Sequence, residues 1–380
     1  MDFDFAKEQQ MFRDAIRSFA EKEVAPLVSE AEEKEKFPVE LFSKMGRLGY
    51  LGVRYPVEYG GGGMGEIGNC IALEEIARIS FGISVGIGNT VGSARVIYTH
   101  GNEAQKQEYL VPVIKGEKIA AFGLSEPNAG SDAAAIQSTA VREQDKYILN
   151  GNKIFITNGT ICDFVITAAY TDKTKGPRGG VSLFIVNKDT PGFSRRKLYK
   201  FCARSSETAE LTFENCPVPE ENLIGEEGRG FPYLMEILGG ARISHSARSL
   251  GLAQAAYESS LQYAQERVQF GQPIAKFQAI AFKLARIAME IQAARWLTYN
   301  AAWLFDQGRE CLKEAVMAKL FASEVSQRVT SEAMQIYGGY ALMEESPIQR
   351  YFRDARFNTI TDGTSEIQQI IIARRIGIRL

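Results

Sequence analysis

The side chains able to carry out acid–base, nucleophilic or metal chemistry are few and widely scattered. His100 and His245 are the only histidines among 380 residues. A Ser-His-Asp triad would need one of them together with a Gly-x-Ser-x-Gly turn, and no such turn occurs. Both read as ordinary polar side chains, because nothing near them in sequence forms a triad or a ligand set. The His-Glu-x-x-His, EF-hand and Walker patterns are also absent. The five cysteines (Cys70, Cys162, Cys202, Cys216, Cys311) are odd in number and form no Cys-x-x-Cys pair. That spacing disfavours both a disulfide framework and a zinc site, and no metal is expected. Tyr59-Gly60-Gly61-Gly62-Gly63 lacks the ordered pattern of a phosphate loop and reads as a plain turn. Ser194-Arg195-Arg196-Lys197 reads as a solvated loop. Metal-assisted and acyl-transfer chemistry both recede.

Composition narrows the field further. Lys and Arg number 44 against 46 Asp and Glu, for a formal charge of −2. Nucleic-acid binders usually carry a basic excess, as do polybasic membrane-surface proteins, so neither class is expected. A hydrophobic content of 45% with 24% charged residues suits a globular chain with large cores. The length suggests about two or three domains. The start, Met1-Asp2-Phe3-Asp4, is acidic and resembles neither a secretion signal nor an Arg-rich transit peptide. No run of about 18 apolar residues exists. A reducing cytoplasm is the expected setting.

Periodicity divides the chain into three zones. In 1–120 the pattern is helical: Phe12, Ile16 and Phe19 recur at four and three, as do Leu73, Ile76 and Ala77. In 121–230 short β-branched and aromatic runs appear at Tyr147–Leu149, Phe164–Tyr170, Val181–Val186 and Leu211–Phe213. Thr171–Gly180 reads as a hairpin loop. No helices of about 10 to 15 residues alternate with these runs, which predicts a small antiparallel sheet or barrel and argues against a Rossmann domain. In 231–380 long helices return. Phe277, Ile280, Leu284, Ile287, Ile291 and Ala294 form one apolar stripe, and Leu250, Ala253, Tyr257 and Leu261 another. Brief breaks at Gly271-Gln272-Pro273 and Gly338-Gly339 complete the pattern of an antiparallel bundle. The fold class is α+β: a helical domain, a central antiparallel β-domain and a C-terminal four-helix bundle.

Four segments stand out together: Leu124-Ser125-Glu126-Pro127-Asn128-Ala129-Gly130-Ser131-Asp132, Asn150 to Gly159, Glu266-Arg267-Val268-Gln269-Phe270-Gly271, and Thr361-Asp362-Gly363-Thr364-Ser365-Glu366-Ile367-Gln368. In their order and separations the chain resembles the acyl-CoA dehydrogenase family over essentially its whole length. The resemblance implies FAD held between the central β-domain and the C-terminal bundle. Phe122, Leu124 and Ser125 would line the flavin, with Gly130 and Ser131 near its phosphates, where free N–H groups suit an anion. Phe155, Ile156 and Thr157 would lie against the other flavin face; the alternatives, sheet core for Phe155 and a plain turn for Ser131, carry less weight. Arg267 and Phe270 resemble contacts to the FAD of a neighbouring subunit, where an Arg fork suits a pyrophosphate. Gln335 and Gly339 resemble adenosine-side contacts, and Gln278, Thr364 and Glu366 complete the implied cofactor set. A shared site implies an obligate oligomer, in this family usually a homotetramer. An electron-transfer flavoprotein is the implied acceptor of electrons.

Family members remove the α-proton of a thioester with a carboxylate while the β-hydride passes to flavin N5. Donors aimed at the thioester oxygen stabilise the developing charge. Most short- and medium-chain members have Glu where this chain has Asp362. Others place the Glu at the position of Ala241, beside Arg242. Asp362 is therefore the base that the resemblance implies. Asp is shorter by one methylene, about 1.5 Å of reach, so the α-carbon must sit differently. An α-branched or alicyclic acyl group meets that need, as in the cyclohexane-1-carbonyl-CoA dehydrogenases, and the small Thr361 would widen the pocket. Thr364 would cap the following helix. Arg242 would anchor the thioester's carrier, with Ser131, Thr361 and Gly363 as further substrate contacts. Gly239, where the family often has an Asp touching the pantetheine arm, leaves a CoA or an acyl-carrier-protein thioester open; Cys202 stands where the family usually has Gly, a change without a physical account. The sequence thus leads to oxidation of cyclohexane-1-carbonyl-CoA to cyclohex-1-ene-1-carbonyl-CoA. The alternatives are a 2-methylacyl-CoA dehydrogenase and a silent FAD/CoA-binding protein.

Overall fold

The fold was obtained as a computed structural model that describes residues 4–379; Met1–Phe3, on which the expectation about a secretion signal falls, and Leu380 lie outside the described residues. The first zone builds α1 (Lys7–Phe19), α2 (Gly65–Ile79) and α3 (Phe81–His100), with shorter helical turns between them. Ile16 and Phe19 turn inward from α1. Ser80 alone separates α2 from α3: its backbone is extended and its hydroxyl accepts from Ile83 N, so the first turn of α3 is capped where the chain bends.

The central zone folds into a seven-stranded sheet: β1 (Ala120–Gly123), β2 (Thr139–Glu143), β3 (Lys146–Thr157), β4 (Phe164–Tyr170), β5 (Val181–Asn187), β6 (Phe193–Lys197) and β7 (Thr208–Pro219). The order is β1-β4-β2-β3-β7-β6, with β5 added to β4. Pairing is antiparallel between β2 and β3, β3 and β7, β4 and β5, and β6 and β7. It is parallel between β1 and β4, so the sheet is not purely antiparallel as the sequence predicts. The chain leaves β1, makes the β2–β3 hairpin and returns in the original direction before laying β4 alongside. A second expectation is also corrected. Ser194–Lys197 is not a loop but most of edge strand β6, paired with β7 throughout. Charged side chains on an edge strand discourage further strand addition, which reconciles a basic run with β structure.

The last zone holds α4 (Gly230–Glu266), α5 (Gln278–Asp306), α6 (Leu312–Tyr337), α7 (Pro347–Ala355) and α8 (Ser365–Arg375). The break at Gly271–Pro273 is a small β-hairpin pairing Val268–Gln269 with Gln272–Pro273. Leu284, Ile287, Ile291 and Ala294 are buried, as the stripe on α5 requires. At 37 residues α4 is about 55 Å long and packs against α2 and α3 as well as α5 and α6. Its middle, Arg242 to Leu252, is buried on every side although it includes two arginines, a histidine and three serines. Such a helix needs internal partners for its polar groups, and this need organises the site described below.

One buried ion pair fixes the loop after β1. Lys153, fully buried on β3, donates to Glu126 Oε1 at 2.7 Å and to Leu124 O at 3.3 Å. Glu126 also accepts from Gln137 N, Ser138 N and Ser138 Oγ, and Ile154 N donates to Ser125 O at 2.9 Å. Burial pulls the Lys153 ammonium down to about 8 despite the opposing pull of Glu126. Removing one partner would leave an uncompensated charge inside the sheet. Glu126→Ala is expected to destabilise the chain by about 3–5 kcal/mol, read as a lower thermal unfolding midpoint; a midpoint matching the parent would refute a structural role for the pair.

Candidate active site

The loop between α7 and α8 presents Asp362. Its approach is a 3-10 turn over Phe357–Thr359, closed by Thr361 N and Thr361 Oγ1 donating to Phe357 O. Asp362 then takes a left-handed backbone at φ 49°, and Gly363 follows at φ 92°. Asp tolerates this region better than most side chains. At Gly363 a Cβ would come within 2.7 Å of Gln368 Nε2, so glycine is required there twice over. Gly363 O accepts from Lys319 Nζ at 2.5 Å and from Gln368 Nε2 at 2.8 Å. Thr364 Oγ1 accepts from Ile367 N at 3.4 Å and caps α8, as its position in sequence suggests.

This backbone aims the Asp362 carboxylate at the middle of α4. Oδ2 lies 2.6 Å from His245 Nε2, while the other ring nitrogen, Nδ1, lies 2.8 Å from Asn358 Oδ1. The Asn358 amide is oriented by Nδ2, which donates to His245 O at 3.1 Å and to Ser249 Oγ at 2.7 Å. Its Oδ1 therefore faces the imidazole and requires Nδ1 to carry a proton. One further proton then lies between Nε2 and Oδ2. Asp362 Oδ1 has no protein partner among the described residues, and the side chain keeps 44% of its surface accessible. It is a carboxylate held by one oxygen and open at the other.

The surroundings are cationic. Desolvation by the surrounding protein would raise the Asp362 pKa, but the facing His245, Arg248 and Lys319 outweigh it and hold the carboxyl well below its ordinary range. Burial pulls the His245 imidazolium down, reinforced by Arg248 and opposed by Asp362. Lys319, 1% exposed, is drawn down to about 8, first by burial, against the pull of Asp362. His245 is therefore no ordinary polar residue, contrary to the sequence reading; the partner that defines it is 117 residues away and invisible to local spacing. His100 is half-buried, stacked on Tyr233 and 3.1 Å from Glu236. His245, Arg248, Lys319, Asn358 and Gln368 were all missed as site residues. The available signal was a run of polar side chains inside an otherwise core-like helix.

Arg242 lies three residues before His245, so it shares this side of α4 one turn away. It is 7% exposed, its Nε has no partner, and burial lowers its pKa. Thr361 and Gly363 flank Asp362 directly. Two other groups of sequence-derived residues form separate clusters. Phe122 on β1, with Leu124 and Ser125 after it, adjoins Ile156 and Thr157 on β3 through the Ile154–Ser125 bond. Ile156 belongs to the sheet core, but Phe155, at φ 61°, is 70% exposed and does not. Gly130 and Ser131 lie on the exposed loop after β1.

At the far end of α4, Arg267, Phe270 and Gly339 line an open cavity of about 700 Å³ with Tyr263, Tyr337 and Tyr340. The Arg267 guanidinium makes no hydrogen bond or ion pair among the described residues and rests 5.7 Å from the Tyr340 ring centre. Phe270, at φ 53°, is 94% exposed. Gln335 on α6 and Gln278 at the start of α5 are exposed nearby in the bundle, and Glu366 is exposed in the first turn of α8. A free guanidinium, exposed aromatic rings and glycine in an open recess fit a nucleotide cofactor with a pyrophosphate.

The chain has clear relatives among known proteins. Family models described as the N-terminal, middle and C-terminal domains of acyl-CoA dehydrogenase match residues 6–117, 121–216 and 228–377. The chain is 44% identical to "Acyl-CoA dehydrogenase, short-chain specific" of Clostridium acetobutylicum, over 99% of this chain and 100% of that protein. It is similar to the butyryl-CoA dehydrogenase structure from Megasphaera elsdenii, with a TM-score of 0.96 and 43% identity, covering 99% of this chain and all of that one. A chain in a structure described as "Electron transferring flavoprotein of Acidaminococcus fermentans: Towards a mechanism of flavin-based electron bifurcation" gives a TM-score of 0.97 at 44% identity, covering 99% and 100%. No helix among the described residues is long and apolar enough to cross a membrane. The family's members are FAD-dependent oxidoreductases, and this chain belongs to the acyl-CoA dehydrogenase family.

Proposed function

We propose that the chain oxidises a short acyl-CoA thioester to its α,β-unsaturated product, with Asp362 removing the α-proton. The observation that carries this reading is the Asp362 carboxylate, fixed through Oδ2 by His245 and free at Oδ1 among buried cations. The substrate's α C–H bond breaks as Oδ1 takes the proton, and charge moves toward the thioester oxygen. Arg242, Lys319 and the shared proton of His245 favour that charge. Asn358 fixes the imidazole ring, so the base cannot swing away when its charge changes. FAD, when bound, supplies the acceptor for the β-hydride. Its proposed contacts are Phe122, Leu124, Ser125, Gly130, Ser131, Phe155, Ile156, Thr157, Gln278, Thr364 and Glu366, with Arg267, Phe270, Gln335 and Gly339 serving a neighbouring subunit. Ser131, Thr361 and Gly363 join Arg242 on the substrate.

The same reading treats 1–120, 121–230 and 231–380 as the three domains and the assembly as a homotetramer, which would cover the exposed Phe270. An electron-transfer flavoprotein is the proposed electron acceptor, in keeping with the description of the Acidaminococcus fermentans structure. A cytoplasmic setting suits five free cysteines. The finer expectation of cyclohexane-1-carbonyl-CoA rests on the short reach of Asp362 and the small Thr361 beside it. Neither the relatives' names nor the buried cations favour an apolar ring, so that thioester serves as a comparison substrate.

Anaerobic bleaching of the bound flavin tests the reading. Butanoyl-CoA is expected to bleach it faster than cyclohexane-1-carbonyl-CoA; binding without bleaching by any thioester would falsify the enzymatic reading. Asp362→Asn is expected to retain FAD and to lose roughly a thousandfold in bleaching rate; an unaltered rate would remove Asp362 as the base.

His245→Leu addresses the depressed carboxylate. Because the folded-state pKa of Asp362 is lowered, its charged form and the stability it contributes are present above about pH 4 and are lost as pH falls through the depressed value. Without His245 the acid limb of the bleaching rate is expected to move up by about one to two pH units. An acid limb unmoved in a folded, FAD-loaded variant would exclude His245 as the residue that positions and tunes the base.

A further inference from the structure

The mechanism leaves one buried charge without a task. Arg248 lies on α4 three residues beyond His245 and six beyond Arg242, about 4.5 and 9 Å along the helix axis. It is 4% exposed. No hydrogen bond or ion pair reaches its guanidinium among the described residues, and its Nε is sealed and unpartnered. The two terminal nitrogens retain access to interior space. Glu66, a nearby acid, is already engaged by Arg54, Asn69 and Ser244. Asp362 attracts the guanidinium but lies beyond ion-pair range and is committed to His245. The fold also makes room for this group: a Cβ at Gly88 on α3 would stand 2.3 Å from Arg248 Nη1. Burial draws the guanidinium down to about 10, a cost that a bound anion would offset.

The order along α4 gives each group a place. Arg242 stands at one end, the base at the level of His245, and Arg248 beyond it. Arg242, Arg248 and Lys319 are three buried cations around one carboxylate, so the resting site lacks negative charge. We propose that Arg248 is the specificity determinant for a short acyl chain ending in a carboxylate, which it binds at the end of the pocket opposite the thioester. This rests on the dehydrogenase reading above and names its substrate class. A separation of about 4.5 Å corresponds to roughly three or four C–C bonds between the α-carbon and the carboxylate, which makes glutaryl-CoA and adipoyl-CoA the natural probes. A planar guanidinium would meet the carboxylate through two parallel hydrogen bonds.

The test titrates the FAD-loaded, wild-type protein anaerobically with butanoyl-, glutaryl- and adipoyl-CoA, following calorimetric binding and flavin bleaching separately. One of the two dicarboxylic thioesters is expected to bind roughly thirtyfold or more tightly than butanoyl-CoA. In Arg248→Met that ratio is expected to collapse toward one, with Arg248→Lys in between. Equal affinities in the wild type overturn the proposal and need no variant. A ratio that survives Arg248→Met, with all three thioesters weakened alike, also overturns it and reduces Arg248 to an electrostatic support of Asp362. Selective binding without any bleaching keeps the Arg248 site and defeats the dehydrogenase reading; bleaching by butanoyl-CoA without carboxylate selectivity does the reverse.

Discussion

The hydrogen bond between His245 and Asp362 joins the two elements from which the active site is made. One partner belongs to the stretch of a helix that is buried on every side, the other to a loop bent twice through left-handed backbone. Neither arrangement is stable alone. A buried imidazole needs partners for both nitrogens, and a left-handed Asp is held only where its surroundings fix it. Asn358 supplies the second imidazole partner, while Lys319 and Gln368 tie down the carbonyl just beyond Asp362. Each group that secures the base also secures the packing of α6, α8 and the intervening turn against α4.

The same bond shapes the electrostatics. A carboxylate among cations is easily kept ionised, but a strongly stabilised carboxylate is a poor proton acceptor. Holding it through a single oxygen separates the two demands. Oδ2 carries the neutralising contact, and Oδ1 keeps an unpaired face toward the accessible space. In the proposed reaction, charge developing on the thioester would share the surrounding cations with Asp362, which would loosen their hold on the carboxylate and favour the proton transfer. On that reading the cations act on both sides of the reaction, and one fewer would favour the ground state less while leaving the developing charge more exposed.

The sequence displayed the fold more fully than the site. The stripe from Leu284 to Ala294 and the strand runs at Phe164–Tyr170 and Val181–Val186 are local periodicities, and local sterics and burial suffice to specify them. The parallel seating of β1 beside β4 is not local: it depends on a hairpin intervening in the chain, and no property of Ala120–Gly123 encodes it. Ser194–Lys197 misled because charge indicates solvent, and an edge strand offers both solvent and a ladder. Asp362 emerged through the motif around it. His245 did not, since its meaning comes from a contact across 117 residues.

The buried polar run on α4 shows how such residues can be recognised. Ser246 and Ser249 satisfy themselves by donating to the carbonyls one turn back, at 2.9 and 3.0 Å, and Ser244 is met by Asn69. His245 is satisfied by two side chains from the far loop. Arg242 and Arg248 find no hydrogen-bond partner for their guanidinium groups among the described residues. Serines in this helix serve the fold, because their short hydroxyls can fall back on the backbone. A guanidinium has no such local refuge: five donors cannot be met by its own helix, so one buried without a partner keeps its donors available to a ligand. The distinction between structural and functional polarity on this helix is therefore one of reach, and the proposed roles put the two arginines on the functional side of it.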